Sequence, residues 1–370
     1  MIRYDNCITD IAWKRKDSSV IDIAEEIQVE KLPYIELLSR EYPGKRILFF
    51  DIETTGFTPD RSIVYLIGLA FRLENGNWQI HQLFNDDGMS EPEVLRTFYD
   101  LLPDFDLLMH FNGDRFDTPF LEGRLVRLQA QASEPSAPPR HLTEMPSADL
   151  LKMIRPLKKA LGLPNVRQKT VERYLGVNRV DEMDGGQLIS VYWSFITSGS
   201  EREKALLLQH NRDDMEGMLL LSGIFGILQL LHPAKLAGLS VTEHSSGLRF
   251  HIETSLTLPL PHPVEAVGRT GSLSGEDRSL RLNVPVFAGE LSYFFGLKTD
   301  GCEQCSGYFI PLPSIKGSLD NKKPAALTRL AVYKKSFSDR QEYIALSDSF
   351  LRDEEAVLSY AGWLAEETLK

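Results

Sequence analysis

A short apolar run that ends in two acids constrains the fold of this chain more than any other feature of its sequence. The run Ile47–Phe50 is continuously apolar, which is typical of a strand buried on both faces of a sheet. Asp51 and Glu53 follow directly, and residues two apart on a strand point to the same face. We therefore expect two neighbouring carboxylates, which repel each other unless a cation or a proton lies between them. The alternative is that both acids are solvated positions of the Thr-Thr-Gly turn that follows.

The order of the predicted elements favours an α/β sheet of mixed strand direction. Two strand candidates, Ile63–Arg72 and Trp78–Phe84, flank an Asn-Gly turn and are expected to be antiparallel neighbours. The next predicted elements are a helix over Pro92–Leu102, a strand over Leu107–Phe111, a helix from Pro119 to Leu128, a loop over residues 130–140 and mainly helical sequence from Ala148 to Leu228. Strands followed by alternating helix and strand are typical of a mixed sheet flanked by helices.

The segments on either side complete the predicted domain organisation. Residues 1–44 are interpreted as a lead-in with a helix over Ile21–Leu38, residues 45–231 as the main domain, and residues 241–370 as a smaller α+β region that closes with a helix over Glu354–Leu369. Cys302 and Cys305 form a single CxxC without a second pair, so a complete zinc site is not expected there. The sequence assigns no chemistry to this last region.

Composition indicates a globular protein of a reducing compartment. Apolar residues make up 42% of the chain and charged residues 25%, which are ordinary values. The sequence shows neither an apolar run of the ~20 residues that span a bilayer nor an N-terminal secretory signal. Three cysteines are too few and too scattered for a disulfide framework. We therefore expect a cytoplasmic protein without a membrane partner.

Two further segments carry acids at positions where chemistry is plausible. Asp117 precedes Pro119 by two residues, at the predicted start of a helix, and could equally be a helix N-cap. His210 and Asp214 are four residues apart and would share one face of a helix. The alternative for this pair is a polar stripe on a surface helix, although the apolar run Met218–Leu221 that follows argues against a fully solvated helix.

Carboxylates from separate segments suit the chemistry of phosphodiester hydrolysis. That reaction requires deprotonation of the attacking water and neutralisation of charge on the leaving oxygen, and two divalent ions held by about four carboxylates do both. Hard oxygen ligands favour Mg²⁺ or Mn²⁺. A histidine beside the acids can take the proton of the water, because its ordinary pKa is about 6.5.

The three segments, in this order, resemble the exonuclease motifs of the DEDD superfamily. More closely, they are similar to the YprB-like ribonuclease H-like family of predicted exonucleases. The stretches that carry this resemblance are Asn112–Leu121, Asp149–Leu151, Thr170–Gly176 and His210–Asp214. The resemblance covers about residues 45–230 and implies a ribonuclease H-like fold. It also implies a 3′→5′ exonuclease that uses two Mg²⁺ or Mn²⁺ ions on single-stranded DNA or RNA.

Carried over by position, the resemblance assigns a role to each site residue. The metal-binding acids are Asp51, Glu53, Asp117 and Asp214, the general base is His210, and substrate contacts are expected from Thr54, Thr55, Asn112 and Phe116. His210 stands where better-studied subfamilies place a tyrosine, so whether it acts as the base or only orients the water stays open. Asp114 and Asp213 are near alternatives that the spacing disfavours.

Basic residues are clustered despite a net charge of −11. Seven lie between Lys152 and Arg173 and seven more between Lys316 and Arg340. We expect the first cluster, with Lys158 and Lys159, to bind a nucleic-acid strand, and the alternative is that both clusters are solvated faces.

Two other functions stay open at this stage. One is a catalytically inactive nucleic-acid-binding module that retains the fold, although all four acids are present. The other is an interaction protein whose function lies in the C-terminal region. The sequence indicates no particular protein partner.

Overall fold

The computed structural model describes residues 20–131, 140–177, 185–294, 302–313 and 324–369. The chain divides into two compact units, of which the first comprises Met1–Arg155 with Asn165–Gly223 and the second comprises Pro156–Pro164 with Ile224–Lys370. These two units are defined by their compactness and do not test the predicted domain bounds. The bounds 1–44, 45–231 and 241–370 therefore stay predictions. Among the described residues, the helical stretch Glu201–Leu231 has the length and hydropathy to cross a membrane, but 67% of its apolar window is buried inside the fold.

The first unit is built on a six-stranded sheet. Its strands are β1 (Ile21–Ile27), β2 (Ile47–Thr54), β3 (Val64–Arg72), β4 (Trp78–Phe84), β5 (Leu107–His110) and β6 (Ser147–Asp149). The strand order is β1-β4-β3-β2-β5-β6. The pairs β1–β4, β4–β3 and β3–β2 are antiparallel, whereas β2–β5 and β5–β6 are parallel. The mixed sheet predicted from the sequence is confirmed, including the antiparallel hairpin of β3 and β4.

Helices cover both faces of this sheet. They are α1 (Glu36–Glu41), α2 (Glu91–Leu101), α3 (Asp117–Gln131), α4 (Leu150–Ile154), α5 (Gln168–Tyr174), α6 (Gly185–Ser198) and α7 (Glu201–Leu220). Ile67 of β3 lies in one apolar cluster with Phe98 of α2, and its neighbour Leu66 lies in another with Tyr192 of α6 and Leu207 of α7. Because successive strand residues point to opposite faces, α2 packs on one face and α6 and α7 on the other.

One predicted element is wrong. The segment expected to be helical over Ile21–Leu38 begins with strand β1, which pairs along its whole length with the edge of β4. The apolar residues of this segment have helical spacing, but the backbone hydrogen bonds between β1 and β4 stabilise a strand. Tertiary pairing therefore overrides the local helical preference. A smaller difference is that Ala148, placed in helical sequence, belongs to the short strand β6.

The second unit is rich in strands. Its elements are α8 (Ile224–Leu228), β7 (Lys235–His244), β8 (Gly247–Ser255), β9 (Val264–Val267), β10 (Ser272–Glu276), β11 (Ser279–Pro285), β12 (Phe287–Phe294), β13 (Cys302–Pro311), α9 (Ala325–Thr328), β14 (Tyr333–Lys334), β15 (Tyr343–Ala345), α10 (Asp348–Arg352) and α11 (Glu354–Leu369). One sheet has the order β7-β8-β11-β10-β9, and the strands β12-β13-β15-β14 close on themselves. The strand-rich character and the closing helix Glu354–Leu369 are both as predicted. Cys302 and Cys305 lie three apart on β13, on opposite faces of the strand, a placement that does not suit one shared zinc ion.

Candidate active site

The acids of β2 stand on a central strand with a neighbour on each side. Asp51 lies opposite Gly68 of β3, and Glu53 lies opposite Leu66. The pairing register shifts between Glu53 and Thr54, which releases the strand into the following turn. Glu53 is 9% exposed, so its carboxylate is held inside the fold rather than in a solvated turn. The geometry favours the buried-strand interpretation of this motif over the solvated-turn alternative.

Asp117 reaches the same strand from another element. Helix α3 begins at Asp117, two residues before the predicted start at Pro119. Its Oδ1 accepts a hydrogen bond of 3.2 Å from the backbone N–H of Ile52, the residue between Asp51 and Glu53. The side chain is 5% exposed. Asp117 therefore contacts β2, which a simple N-cap would not do.

Helix α7 supplies the remaining two side chains. His210 Nε2 lies 3.2 Å from Asp214 Oδ2 and 3.6 Å from Glu53 Oε1. The ligand atoms of these three residues lie within 4.8 Å of one another, close enough to share one cation. Asp51 joins the group through Asn211, whose Nδ2 donates to Asp51 Oδ2 at 3.3 Å. Three chain segments thus bring all five residues predicted for catalysis to one place on the sheet.

Burial makes these carboxylates reluctant to ionise in the absence of a cation. The pKa of Glu53 is raised to about 8, chiefly by burial and further by the nearby charges of Asp214 and Asp117, while His210 opposes the increase. Burial also raises the pKa of Asp117 to about 7, against the effect of the hydrogen bond from Ile52, and the charge of Asp149 adds to the increase. A bound cation would relieve the repulsion among these acids. The donor set of carboxylate oxygens fits a hard divalent ion.

The disfavoured alternatives Asp114 and Asp213 have other partners. Asp114 accepts from the Ser147 hydroxyl at 3.0 Å and pairs with Lys152. Asp213 accepts from Gln209 and lies 3.6 Å from Arg212. These contacts do not include the five residues gathered around β2.

A second group of possible ligands lies beside the first. His110, Asp114 and Asp149 have ligand atoms within 4.8 Å of one another. Asp149 Oδ1 accepts from the backbone N–H of Asn112 at 2.9 Å and of Leu151 at 3.0 Å. His110 Nε2 lies 3.4 Å from Asp114 Oδ1. Protein donors already engage these oxygens, so the group serves to hold the turn before α3.

Several of the residues predicted to contact substrate have partners within the protein, and their contact with substrate stays a prediction. Thr54 Oγ1 donates to the Gly56 carbonyl at 2.7 Å, and Thr55 Oγ1 accepts from the Ile63 N–H at 3.0 Å, so both fix the turn after β2. Phe116 is half-buried and packs on the core beside α3.

The other three predicted contacts are arranged differently. Asn112 has a φ of 67° and donates its backbone N–H to Asp149, so it shapes the turn before α3. Lys158 and Lys159 are exposed and belong to the second unit.

The sequence interpretation missed three residues of this region. Tyr65 is fully buried, and its hydroxyl donates to Glu53 Oε2 at 3.5 Å. Asn211 contacts Asp51, as described above. Phe57, six residues beyond Asp51, is 79% exposed in the turn after β2. The sequence does carry a signal for Phe57, because an aromatic residue that ends the polar turn segment Asp-x-Glu-Thr-Thr-Gly-Phe departs from the small and polar composition of turns.

Comparison with known proteins defines the fold of this region. Residues 48–224 match RNase_H_2, a family of the RNase_H superfamily. These residues form a ribonuclease H-like domain. The match spans β2 to the end of α7 and contains all five residues described above.

Individual relatives cover the chain less completely. A segment of 68 residues is 34% identical to DNA polymerase 1 of Sulfurisphaera ohwakuensis, and this segment is 18% of the chain and 8% of that protein. The family B DNA polymerase of Pyrobaculum calidifontis aligns with 88% of the chain and 46% of its own length, at 12% identity and a TM-score of 0.42. E. coli Exonuclease I in complex with a dA16 oligonucleotide aligns with 58% of the chain and 55% of its own length, at 14% identity and a TM-score of 0.26.

Proposed function

We propose that this protein is a metal-dependent 3′→5′ exonuclease of the DEDD type, related to the YprB-like family, that degrades single-stranded DNA or RNA. The observation that supports it best is the convergence of Asp51, Glu53, Asp117 and Asp214 around strand β2 of a ribonuclease H-like domain. Acids that serve only solubility remain exposed and apart. Buried and half-buried acids from three segments, of which Glu53 and Asp117 have strongly raised pKa values, suit a cation site.

The donor set defines what this site would hold. The four carboxylates would bind two divalent ions, Mg²⁺ or Mn²⁺, which when bound lower the pKa of the attacking water and neutralise the leaving oxygen. Asp117 is pre-oriented by the Ile52 N–H and Glu53 by the Tyr65 hydroxyl. These contacts fix the carboxylates before substrate arrives.

His210 is the residue best placed to move a proton. Its Nε2 points into the carboxylate group, 3.2 Å from Asp214. As a general base, Nε2 would take the proton of the attacking water. The water oxygen then forms a bond to phosphorus while the bond to the 3′ oxygen of the preceding nucleotide breaks, releasing a nucleoside 5′-monophosphate.

Phe57 is suited to hold the end of the strand. Bases stack on exposed aromatic rings irrespective of sequence, and such stacking contributes about 1–3 kcal/mol per base. Phe57 lies on the turn directly after the two acids of β2 and is 79% exposed. A single-stranded end can unstack and present its terminal base to such a ring, which a duplex end does less readily.

The decisive experiment uses oligonucleotides of DNA and RNA labelled at either end. With Mn²⁺ or Mg²⁺, a 5′-labelled strand should shorten one nucleotide at a time, and a 3′-labelled strand should release labelled mononucleotide at once. EDTA should abolish both reactions. Binding without cleavage under all metal conditions would contradict the proposal and favour an inactive nucleic-acid-binding module. Release of mononucleotide from the 5′ end would contradict the direction alone.

A further inference from the structure

Asn211 is a fully buried amide that contacts one of the proposed metal-binding acids. It lies on α7 between His210 and Asp214 and is 0% exposed. Its Nδ2 donates to Asp51 Oδ2 at 3.3 Å. Burying a polar side chain costs free energy unless hydrogen bonds compensate for the lost contact with water. A fully buried amide that donates to a carboxylate is therefore a feature to explain.

A chain of hydrogen bonds fixes which end of the amide faces Asp51. Gln82 of β4 donates its Nε2 to the Leu208 carbonyl at 2.8 Å, and a carbonyl only accepts. The same Nε2 lies 3.1 Å from the side chain of Asn211, so the atom of Asn211 facing it must be the oxygen. The NH₂ group of Asn211 therefore faces Asp51, which accepts when ionised.

The sheet provides a slot for this amide. Gly68 lies opposite Asp51 in the register of β2 and β3. A Cβ at this position would come within 2.4 Å of Asn211 Oδ1 and 2.7 Å of Met215 Cγ. Since real Cβ atoms do not approach so closely, α7 can place Asn211 over β3 only because residue 68 is glycine.

We propose that Asn211, held by Gln82, is a positioning residue that orients the carboxylate of Asp51 for metal binding. The inference rests on the proposed function, because it assumes that Asp51 binds a cation. Partners outside the ligand shell fix the orientation of metal ligands, and their loss typically weakens metal binding about 10–100-fold. Binding of the nucleic-acid strand itself would not depend on this amide.

The test measures metal binding directly as well as cleavage. Asn211→Leu removes the amide with little change of volume, and Gln82→Met does the same one step further away. For Asn211→Leu we expect Mn²⁺ affinity, measured by electron paramagnetic resonance without nucleic acid, to fall about 10–100-fold. The Mn²⁺ concentration for half-maximal cleavage should rise in parallel, while KM for the oligonucleotide stays the same. Gln82→Met should show a smaller effect in the same direction.

Asn85→Leu is the matched control. Asn85 is also 0% exposed and follows β4, and its Oδ1 accepts from the Ser90 N–H at 3.2 Å, away from the acids. This variant should lower the melting temperature and leave Mn²⁺ affinity unchanged. A double variant of Gln82 and Asn211 should bind Mn²⁺ no more weakly than Asn211→Leu alone, because the two residues act in one chain.

The possible failures are distinguishable. If wild-type protein binds no Mn²⁺ and cleaves nothing, the proposed function is wrong and this inference with it. If wild type is active but Asn211→Leu and Gln82→Met bind Mn²⁺ normally, only the inference is wrong. Equal loss of affinity in Asn85→Leu would mean that reduced stability, and not positioning, weakens the site. Should Asn211→Leu fail to fold, Gln82→Met alone still decides the question.

Discussion

Aspartate and asparagine have nearly the same shape and differ by one negative charge. The substitution Asp51→Asn therefore tests whether the charge of this side chain is needed for metal binding. A neutral amide cannot replace the negative charge that balances a divalent ion. We expect the exonuclease rate to fall by several orders of magnitude while the melting temperature in EDTA is retained. The matched control is Asp213→Asn on α7, whose carboxylate contacts Gln209 and Arg212. Near wild-type cleavage by Asp51→Asn would refute the mechanism.

His210→Ala tests the role of the imidazole. Loss of a general base typically lowers a rate about 10²–10⁴-fold, and higher pH partly restores it because hydroxide becomes available. We expect this loss in single-turnover cleavage at saturating Mn²⁺, together with a changed pH profile. His210 also lies 3.2 Å from Asp214, so Mn²⁺ affinity should be measured beside the rate. An unchanged rate and pH profile would reduce His210 to a structural residue.

At the residue scale, the acidic residues were easier to predict from the sequence than the residues that contact and orient them. The Asp-x-Glu pattern after a buried strand has a fixed geometry, because strand residues alternate between two faces. The contact of Asn211 depends on Gln82 from β4 and Gly68 from β3, more than a hundred positions away in the chain. The resemblance assigns Thr54 and Thr55 to substrate contact, and the structure shows that both hydroxyls also have hydrogen-bond partners within the turn. Local spacing does not reveal which partner a short polar side chain will find.

At the scale of elements, the buried strands were predictable and the edge strand was not. The run Ile47–Phe50 is apolar throughout because β2 is covered on both faces. Strand β1 lies at the edge of the sheet and is mostly exposed or half-exposed, so its pattern is mixed and resembles a helix. Only its pairing with β4 identifies it, and that pairing is not visible in the segment alone.

An ion pair between elements ties this edge strand to helix α7. Arg212 of α7 donates to both oxygens of Glu25 of β1, at 2.6 and 2.7 Å, and to Glu216 at 2.8 Å. The arginine lowers the pKa of Glu25 through its hydrogen bond. Because both groups are partly exposed, we expect Arg212→Met to lower the free energy of unfolding by only about 1 kcal/mol. Urea denaturation measures this, and unchanged stability would mean that the pair does not anchor α7.

At the scale of the whole molecule, buried acids couple stability to pH. The pKa of Glu53 is raised to about 8 and that of Asp117 to about 7, so the folded protein holds protons that the unfolded chain releases from about pH 4 upward. The stability that this protonation provides is present at low pH and is lost as the pH rises through the folded pKa values. In EDTA, we expect the melting temperature to fall by several degrees from about pH 5 to about pH 8.

Metal binding and substitution of the two buried acids should each reduce the dependence of the melting temperature on pH. A divalent ion replaces the protons, so Mn²⁺ should raise the melting temperature more at about pH 8 than at about pH 5. A Glu53→Gln, Asp117→Asn double variant should be less sensitive to pH than wild type in EDTA. Parallel curves for the two proteins would show that other groups dominate the pH response.

The net charge of −11 raises the question of how such a molecule binds a polyanion. A cluster of four acids repels phosphates until cations are bound, so affinity has to come from basic residues elsewhere. Lys158 and Lys159 are both exposed, as strand binding requires. The alternative interpretation, a solvated face, predicts the same exposure. Each phosphate that a lysine neutralises contributes about −0.7 to the slope of log K against log salt for a single strand. Replacing both lysines with alanine should therefore weaken binding alike for all sequences and flatten the slope by about one unit.

The consecutive pair Lys334 and Lys335 is the matched comparison for this salt titration. Lys334 lies 3.3 Å from Glu342, and Lys335 lies over the ring of Phe287 at 4.8 Å, so both cations already have partners within the second unit. Binding should be measured with Asp51→Asn in every protein, which prevents cleavage and leaves the lysines untouched. If only the Lys158–Lys159 variant flattens the slope, these lysines contact the strand. If only the Lys334–Lys335 variant flattens the slope, the strand instead contacts the basic cluster between Lys316 and Arg340, because counterion release then depends on those cations.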